Sequence, residues 1–167
     1  GTRIIIGWDP DELVVMPLDA NSQVMHCQIL FIKENKRIFC SFIYACNYYI
    51  DRRILWDSLD KHFRSVNNCP WLILGDFNIY KELVDTSAGN SRISKGMVEF
   101  NDCMNRIEVQ DINRSGLHYT WNQRPNGLNG VLKKLDRVLG NFKFIEDFPD
   151  VFANFQLYKS SDHSPMI

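Results

Sequence analysis

The apolar positions of this chain change period along its length, and the changes mark out its elements. Arg3 to Trp8, Leu13 to Leu18, Val24 to Ile32 and Arg37 to Tyr44 are runs rich in β-branched and aromatic residues. Asp9-Pro10 and Lys33-Glu34-Asn35-Lys36 lie between them as turns, so each run predicts a strand. Alternation is poor in Ile38-Phe39-Cys40-Ser41-Phe42-Ile43-Tyr44, as expected of a strand covered on both faces. The period then becomes helical. Asp51 is placed to cap a helix through about Val66, with Leu55, Leu59, Phe63 and Val66 on one stripe. Trp71 to Leu74 is fully apolar and reads as a short strand, while Met97, Phe100, Met104 and Ile107 form one face of a second helix over Lys95 to Ile107. Further strands are expected around Tyr119 to Trp121, Leu132 to Leu139 and Phe155 to Tyr158, with a short helix over Phe142 to Phe148 ending at Pro149. There is no internal repeat, low-complexity tract or linker. Strands outnumber helices, and two packed sheets with helices outside is the economical arrangement.

Length adds that the 167 residues form one domain, 1–167, large enough to bury a core. A formal net charge of −1 leaves no global basic field, so a nucleic-acid partner would have to be held in a local groove. Arg114, Arg124, Lys133, Lys134, Arg137 and Lys143 gather in the C-terminal half and could line such a groove or form a solvated face. Cys27, Cys40, Cys46, Cys69 and Cys103 are odd in number, without a CxxC pair or zinc spacing; they read as reduced core residues of an intracellular protein. No run approaches transmembrane length, so no membrane partner is expected, and a monomer is. The first residues already read as a strand, as though the chain opened inside a sheet.

Candidate chemistry collects where strands stop. In Gly75-Asp76-Phe77-Asn78 the glycine permits a tight turn, and Asp76 and Asn78 suit water activation beside an oxyanion. The same string also reads as an Asx turn with a capping Asp. Ser161-Asp162-His163-Ser164-Pro165 is another polar cluster, weaker alone. Asp136, inside Leu132 to Leu139, would be costly to bury unpaired; its partner is either a histidine that it orients or Arg137 beside it.

Taken in order, Tyr44-x-x-Asn47, Gly75-Asp76-Phe77-Asn78, Tyr119-Thr120-Trp121, Leu135-Asp136-Arg137 and Ser161-Asp162-His163-Ser164-Pro165 resemble the endonuclease/exonuclease/phosphatase superfamily. The closer resemblance is to the apurinic-endonuclease-like domain of LINE-type (non-LTR) retrotransposons, especially those of plants, over almost the whole chain. It implies an α/β fold of the four-layered sandwich type, with two packed mixed sheets flanked by helices. It also implies hydrolysis of a DNA phosphodiester with Mg²⁺, or Mn²⁺ in its place. By the resemblance, Asp76 orients or deprotonates the attacking water and Asn78 holds the phosphate oxygen. His163 contacts the scissile phosphate, oriented by Asp136, and Asp162 helps hold the metal. Tyr44 and Asn47 touch the phosphate or the water network, and Tyr119 and Trp121 lie near the DNA-binding edge or in the core. A reverse transcriptase would follow in the parent polyprotein, and the nucleus is the compartment by analogy only. The family's earlier strands, with an Asn and a principal metal-binding Glu, have no match here. The expectation is an N-terminally incomplete domain with weakened cation binding.

Three readings follow. The first is a DNA endonuclease that nicks target DNA for a retroelement. The second keeps the superfamily but takes a small phosphoester. The third is an inactive truncated relic with at most weak nucleic-acid binding.

Overall fold

The computed structural model describes residues 3–89, 92–123 and 130–167. An antiparallel meander of β1 (Leu13–Ala20), β2 (Val24–Phe31) and β3 (Lys36–Tyr44) opens it. Helix α1 (Arg53–Val66) then crosses to β4 (Trp71–Asp76), which runs parallel to β3. After a single 3-10 turn at Leu83–Asp85 come α2 (Lys95–Arg106), β5 (Val109–Asp111), β6 (Asn113–Gly116) and β7 (Trp121–Asn122). The remainder is β8 (Leu132–Lys133), β9 (Asp136–Asn141), α3 (Phe142–Asp147) and β10 (Phe152–Phe155). The main sheet has the order β1-β2-β3-β4-β9-β5, mixed in direction and flanked by helices. This is the α/β class that the patterning predicts. The other strands form two short ladders, β6 parallel to β10 and β7 antiparallel to β8.

One face of the sheet packs Ile43, Ile73 and Phe77 under α1 and α2, which contribute Leu55, Leu59 and Phe100. Burying side chains of this size stabilises the fold by roughly 1.5–3 kcal/mol each. The other face carries Cys27, Ile29, Ile38, Cys40 and Phe144. Strand β3 contributes to both clusters, which is why its sequence does not alternate. All five cysteines are free thiols. Among the described residues no helix is long and apolar enough to cross a membrane.

Four local expectations change. Arg3 to Trp8 join no sheet; the apolar pattern alone does not make a strand where no neighbouring ladder takes it up, and Arg3 instead stacks 4.2 Å from the Tyr44 ring centroid. Asp51 does not cap α1, whose N-cap is Arg52 without a side-chain cap; the Asp51 carbonyl accepts from Gln23 Nε2 at 2.9 Å. The Leu132 to Leu139 run breaks in two because Lys134 N donates to Asp85 O and Leu135 N to Thr120 Oγ1, at 2.8 and 3.0 Å. The last strand lies earlier than Phe155 to Tyr158, at Phe152–Phe155. The short, polar β5 and β6 carry no pattern that marks them.

Candidate active site

The site lies where parallel β3 and β4 end and antiparallel β9 begins. Gly75 allows β4 to run close against β3: its φ is +136°, and a Cβ there would collide with the Ile43 backbone. Asp76, the last residue of β4, pairs directly with Asp136, the first of β9. Thr120 fixes that start, its Oγ1 accepting from the backbone N–H groups of Leu135 and Asp136 at 3.0 and 2.9 Å. The chain then returns through Ser161 to Ser164: His163 bridges to Trp121, and Ser164 N donates to Thr120 O at 2.7 Å.

These elements bring Asp76, Asp136 and His163 together, each offering a ligand atom within 4.8 Å of the others. His163 Nδ1 lies 2.9 Å from Asp136 Oδ2, and its Nε2 lies 3.9 Å from Asp76 Oδ2. Arg137 is not the partner of Asp136; it pairs with Asp85 and Asp111. Asn78 has a φ of +51°, which turns it back on Asp76. Its backbone N–H donates to Asp76 Oδ1 at 2.8 Å, and its Nδ2 donates to Asp76 Oδ2 at 3.0 Å and to Ala45 O at 2.9 Å. Both amide hydrogens are thereby used. In this arrangement Asn78 orients Asp76 and has no donor left for a phosphate oxygen.

Burial, and then the charge of Asp136, push the Asp76 carboxyl up to about 6 against the opposing pull of the Asn78 N–H, His163 and Arg52. The hydrogen bond to Asp136 raises His163 above an ordinary imidazole despite burial, with the charges of Asp136, Asp76 and Asp162 adding to it. The Trp121 indole N–H, 2.9 Å from Oδ2, holds Asp162 below the usual carboxylate range. The donor set fits a divalent cation: two carboxylates supply hard oxygens, and the cation would relieve the repulsion that raises Asp76.

A cleft of about 990 Å³ exposes this group. Tyr44, Asn47, Asp76, Asn78, Trp121, Asp136, Asp162 and His163 line it. Tyr119 does not; its carbonyl accepts from Tyr158 Oη at 2.7 Å and its ring lies edge-on to His118. Asp162 lines the cleft but stands outside the three-residue ligand group. Of the two readings of the C-terminal basic residues, groove or solvated face, the described residues give little of a groove. Lys134 and Arg137 are buried against Asp111 and Asp85, Lys143 pairs with Glu146 and Asp147, and Arg114 contacts His118. Lys133 does line the cleft, its Nζ 5.2 Å from the Trp121 ring centroid. Arg124 lies outside the described residues.

Sequence reasoning missed Arg52 and Thr120. The signal for Arg52 was a cation at a helix N-terminus, where the helix dipole disfavours it and another partner must hold it. Thr120 sat unremarked between two aromatic residues that drew the attention.

No family model and no curated protein matches the chain. Solved structures do. The endonuclease domain of TRAS1, a telomere-specific non-LTR retrotransposon, superposes with a TM-score of 0.71 at 14% identity, over 95% of this chain and 68% of that one. The AP endonuclease LMAP from Leishmania major gives 0.62 at 14%, over 89% and 54%. The mannosyl-6-phosphatase Bt3783 from Bacteroides thetaiotaomicron gives 0.58 at 13%, over 95% and 67%. The chain thus spans between about half and two thirds of the length of these structures. Endonuclease/exonuclease/phosphatase family proteins of two Bacteroides species superpose as well, and the fold of this chain is the fold of those proteins.

Proposed function

We propose that this chain carries the catalytic core of a divalent-metal-dependent phosphodiester hydrolase, acting on DNA as the nicking endonuclease of a non-LTR retrotransposon of the plant LINE type. One observation carries the reading: Asp76, Asp136 and His163, from three separate chain segments, meet in one open cleft with their ligand atoms within 4.8 Å. The TRAS1 endonuclease domain, the highest TM-score of the three structures above, supports the retroelement branch.

In this reading Asp76 is the general base. Its carboxyl titrates at about 6 without a cation, and a cation bound beside it would lower that value and keep the carboxylate ionised to accept a proton from water. Asn78 aims it by holding both oxygens. Asp136 fixes the His163 ring through Nδ1, so Nε2 faces Asp76 and the cleft, where a protonated imidazole would donate to the phosphate. Asp76 and Asp136 would hold the cation, Mg²⁺ or Mn²⁺, with Asp162 at the margin; when bound it would neutralise charge on the phosphate. Tyr44, Asn47 and Trp121 would form the walls that receive the strand.

A second reading, a silent relic of such an enzyme, is favoured by a specific observation. Among the described residues that line the cleft there is no glutamate, and the Asp162 carboxylate is turned to Trp121. Comparing hydrolysis of supercoiled plasmid with that of a small phosphomonoester, each with Mg²⁺ and with a chelator, separates the readings. Cation-dependent plasmid nicking alone supports the endonuclease. Turnover of the small ester alone moves the substrate class, and no turnover of either by folded protein leaves the relic.

A further inference from the structure

Arg52 is a buried cation at the cleft that feels the charges of Glu99 and Asp76 but is bonded to neither among the described residues. It is 3% exposed, and no ion pair to it occurs among the described residues. It stands at the N-terminus of α1, where the helix dipole repels it. Its Nη1 is held by carbonyl oxygens alone: Cys46 and Asn47 at 2.9 Å and Asn78 at 3.0 Å. The first two belong to the loop after β3 and the third to the turn after β4. One guanidinium therefore ties together the two loops that end in the cleft, at a desolvation cost that an apolar side chain would avoid.

The link to the site runs through one residue. Asn78 sits in the left-handed region, which costs about 1 kcal/mol for a residue with a Cβ. Its carbonyl is gripped by Arg52, while its backbone N–H and its amide grip the two oxygens of Asp76. We propose that Arg52 is a positioning residue for Asp76, acting through Asn78: it holds the turn in the conformation that keeps the carboxylate aimed into the cleft. Lysine keeps the charge on a shorter side chain, so its ammonium falls short of the Nη1 position at which both loops are held.

Arg52→Lys, examined by amide hydrogen exchange in the folded protein, tests this without reference to activity. The backbone and side-chain amide hydrogens of Asn78 should exchange about tenfold faster or more, while the core amides of Ile73 and Leu139 keep their protection. Unchanged Asn78 exchange overturns the proposal, as does an equal loss of protection at Asn78 and in the core, which would make Arg52 a general structural residue. Arg52→Gln repeats the test if the lysine variant does not fold, and failure of both to fold also overturns the local role. The kinetic arm rests on the hydrolase reading: kcat should fall about tenfold with KM nearly unchanged, as for loss of an outer supporting contact. If the unaltered protein does not nick DNA, that reading fails, while the exchange result still decides the role of Arg52.

Discussion

Asp76 and Asp136 face each other across the β4–β9 ladder, so the strand register itself places two acidic residues side by side at the mouth of the cleft. A slip by one residue would turn one of them to the opposite face of the sheet. The register is held from both sides, by Gly75 against the Ile43 backbone and by Thr120 under the start of β9. The charge pair is thus built into the sheet, and its consequences can be measured.

The first consequence is a site that costs stability. Burial first, and then the charge of Asp136, raise the folded Asp76 carboxyl to about 6 against an ordinary 3.8. As pH rises the unfolded chain releases its proton first, so stability from this group is present below 3.8 and lost as pH rises through 6. At about 1.4 kcal/mol per pH unit, the loss is roughly 3 kcal/mol. Asp76→Asn should therefore gain stability relative to the unaltered chain by about that amount between pH 4 and 7. Denaturant unfolding of both proteins across this range checks it, and an added divalent cation should shrink the difference.

At a second place the sign is opposite, and acid should weaken the fold. His26 and His62 are buried and stacked with ring centroids 4.1 Å apart. His26 Nδ1 meets Ser41 Oγ at 2.8 Å, His62 Nε2 meets Asp19 at 2.9 Å, and Trp71 lies edge-on to His26. Burial, and then His62, lower His26 to about 3. The folded value lies below the ordinary 6.5, so stability is full above 6.5 and is lost as pH falls toward 3. At pH 5 the deficit is about 2 kcal/mol. His26→Gln should flatten the stability profile between pH 7 and pH 5, read by denaturant unfolding at both values.

Much of this architecture was legible in the sequence, and what was not has physical reasons. Helices α1 and α2 were readable because each buries one stripe at helical spacing, and β3 because both its faces are covered. Asp76, Asn78 and His163 stood out as polar residues where apolar runs stop and Asp136 as a carboxylate inside one, and the fold brings all four to one cleft. The β5 and β6 strands did not stand out, since three- and four-residue ladders depend on neighbours distant in sequence. The fate of the basic residues was equally hidden: Asp85 and Asp111, which bury Arg137, lie 52 and 26 residues from it along the chain. Charge counted along a sequence does not tell which cations are already spent inside.

Gly75 should be intolerant of substitution. Gly75→Ala would force a Cβ into the Ile43 backbone at a φ of +136°, separating β3 from β4 beneath the site. A loss of at least about 3 kcal/mol is expected, in the range of severe backbone effects. A thermal melt checks it, and a melting temperature within a degree or two of the unaltered chain would contradict it.

The contribution of Asp136 to the site should be visible in the rate. Asp136→Asn keeps the shape but removes the charge that holds His163 Nδ1 and would help hold the cation, and nicking should fall at least about 10- to 100-fold, the range for loss of a contact that orients a site imidazole. Single-turnover rates on plasmid DNA check this, with circular dichroism confirming the fold.

The central claim is that this cleft hydrolyses DNA through Asp76 and His163. Conversion of supercoiled plasmid to nicked circle, with Mg²⁺ or Mn²⁺, by the folded chain and by His163→Ala tests it most directly. The account predicts cation-dependent nicking that disappears in His163→Ala while the fold persists. Absence of nicking by the folded, unaltered chain, or equal nicking by both proteins, would contradict it.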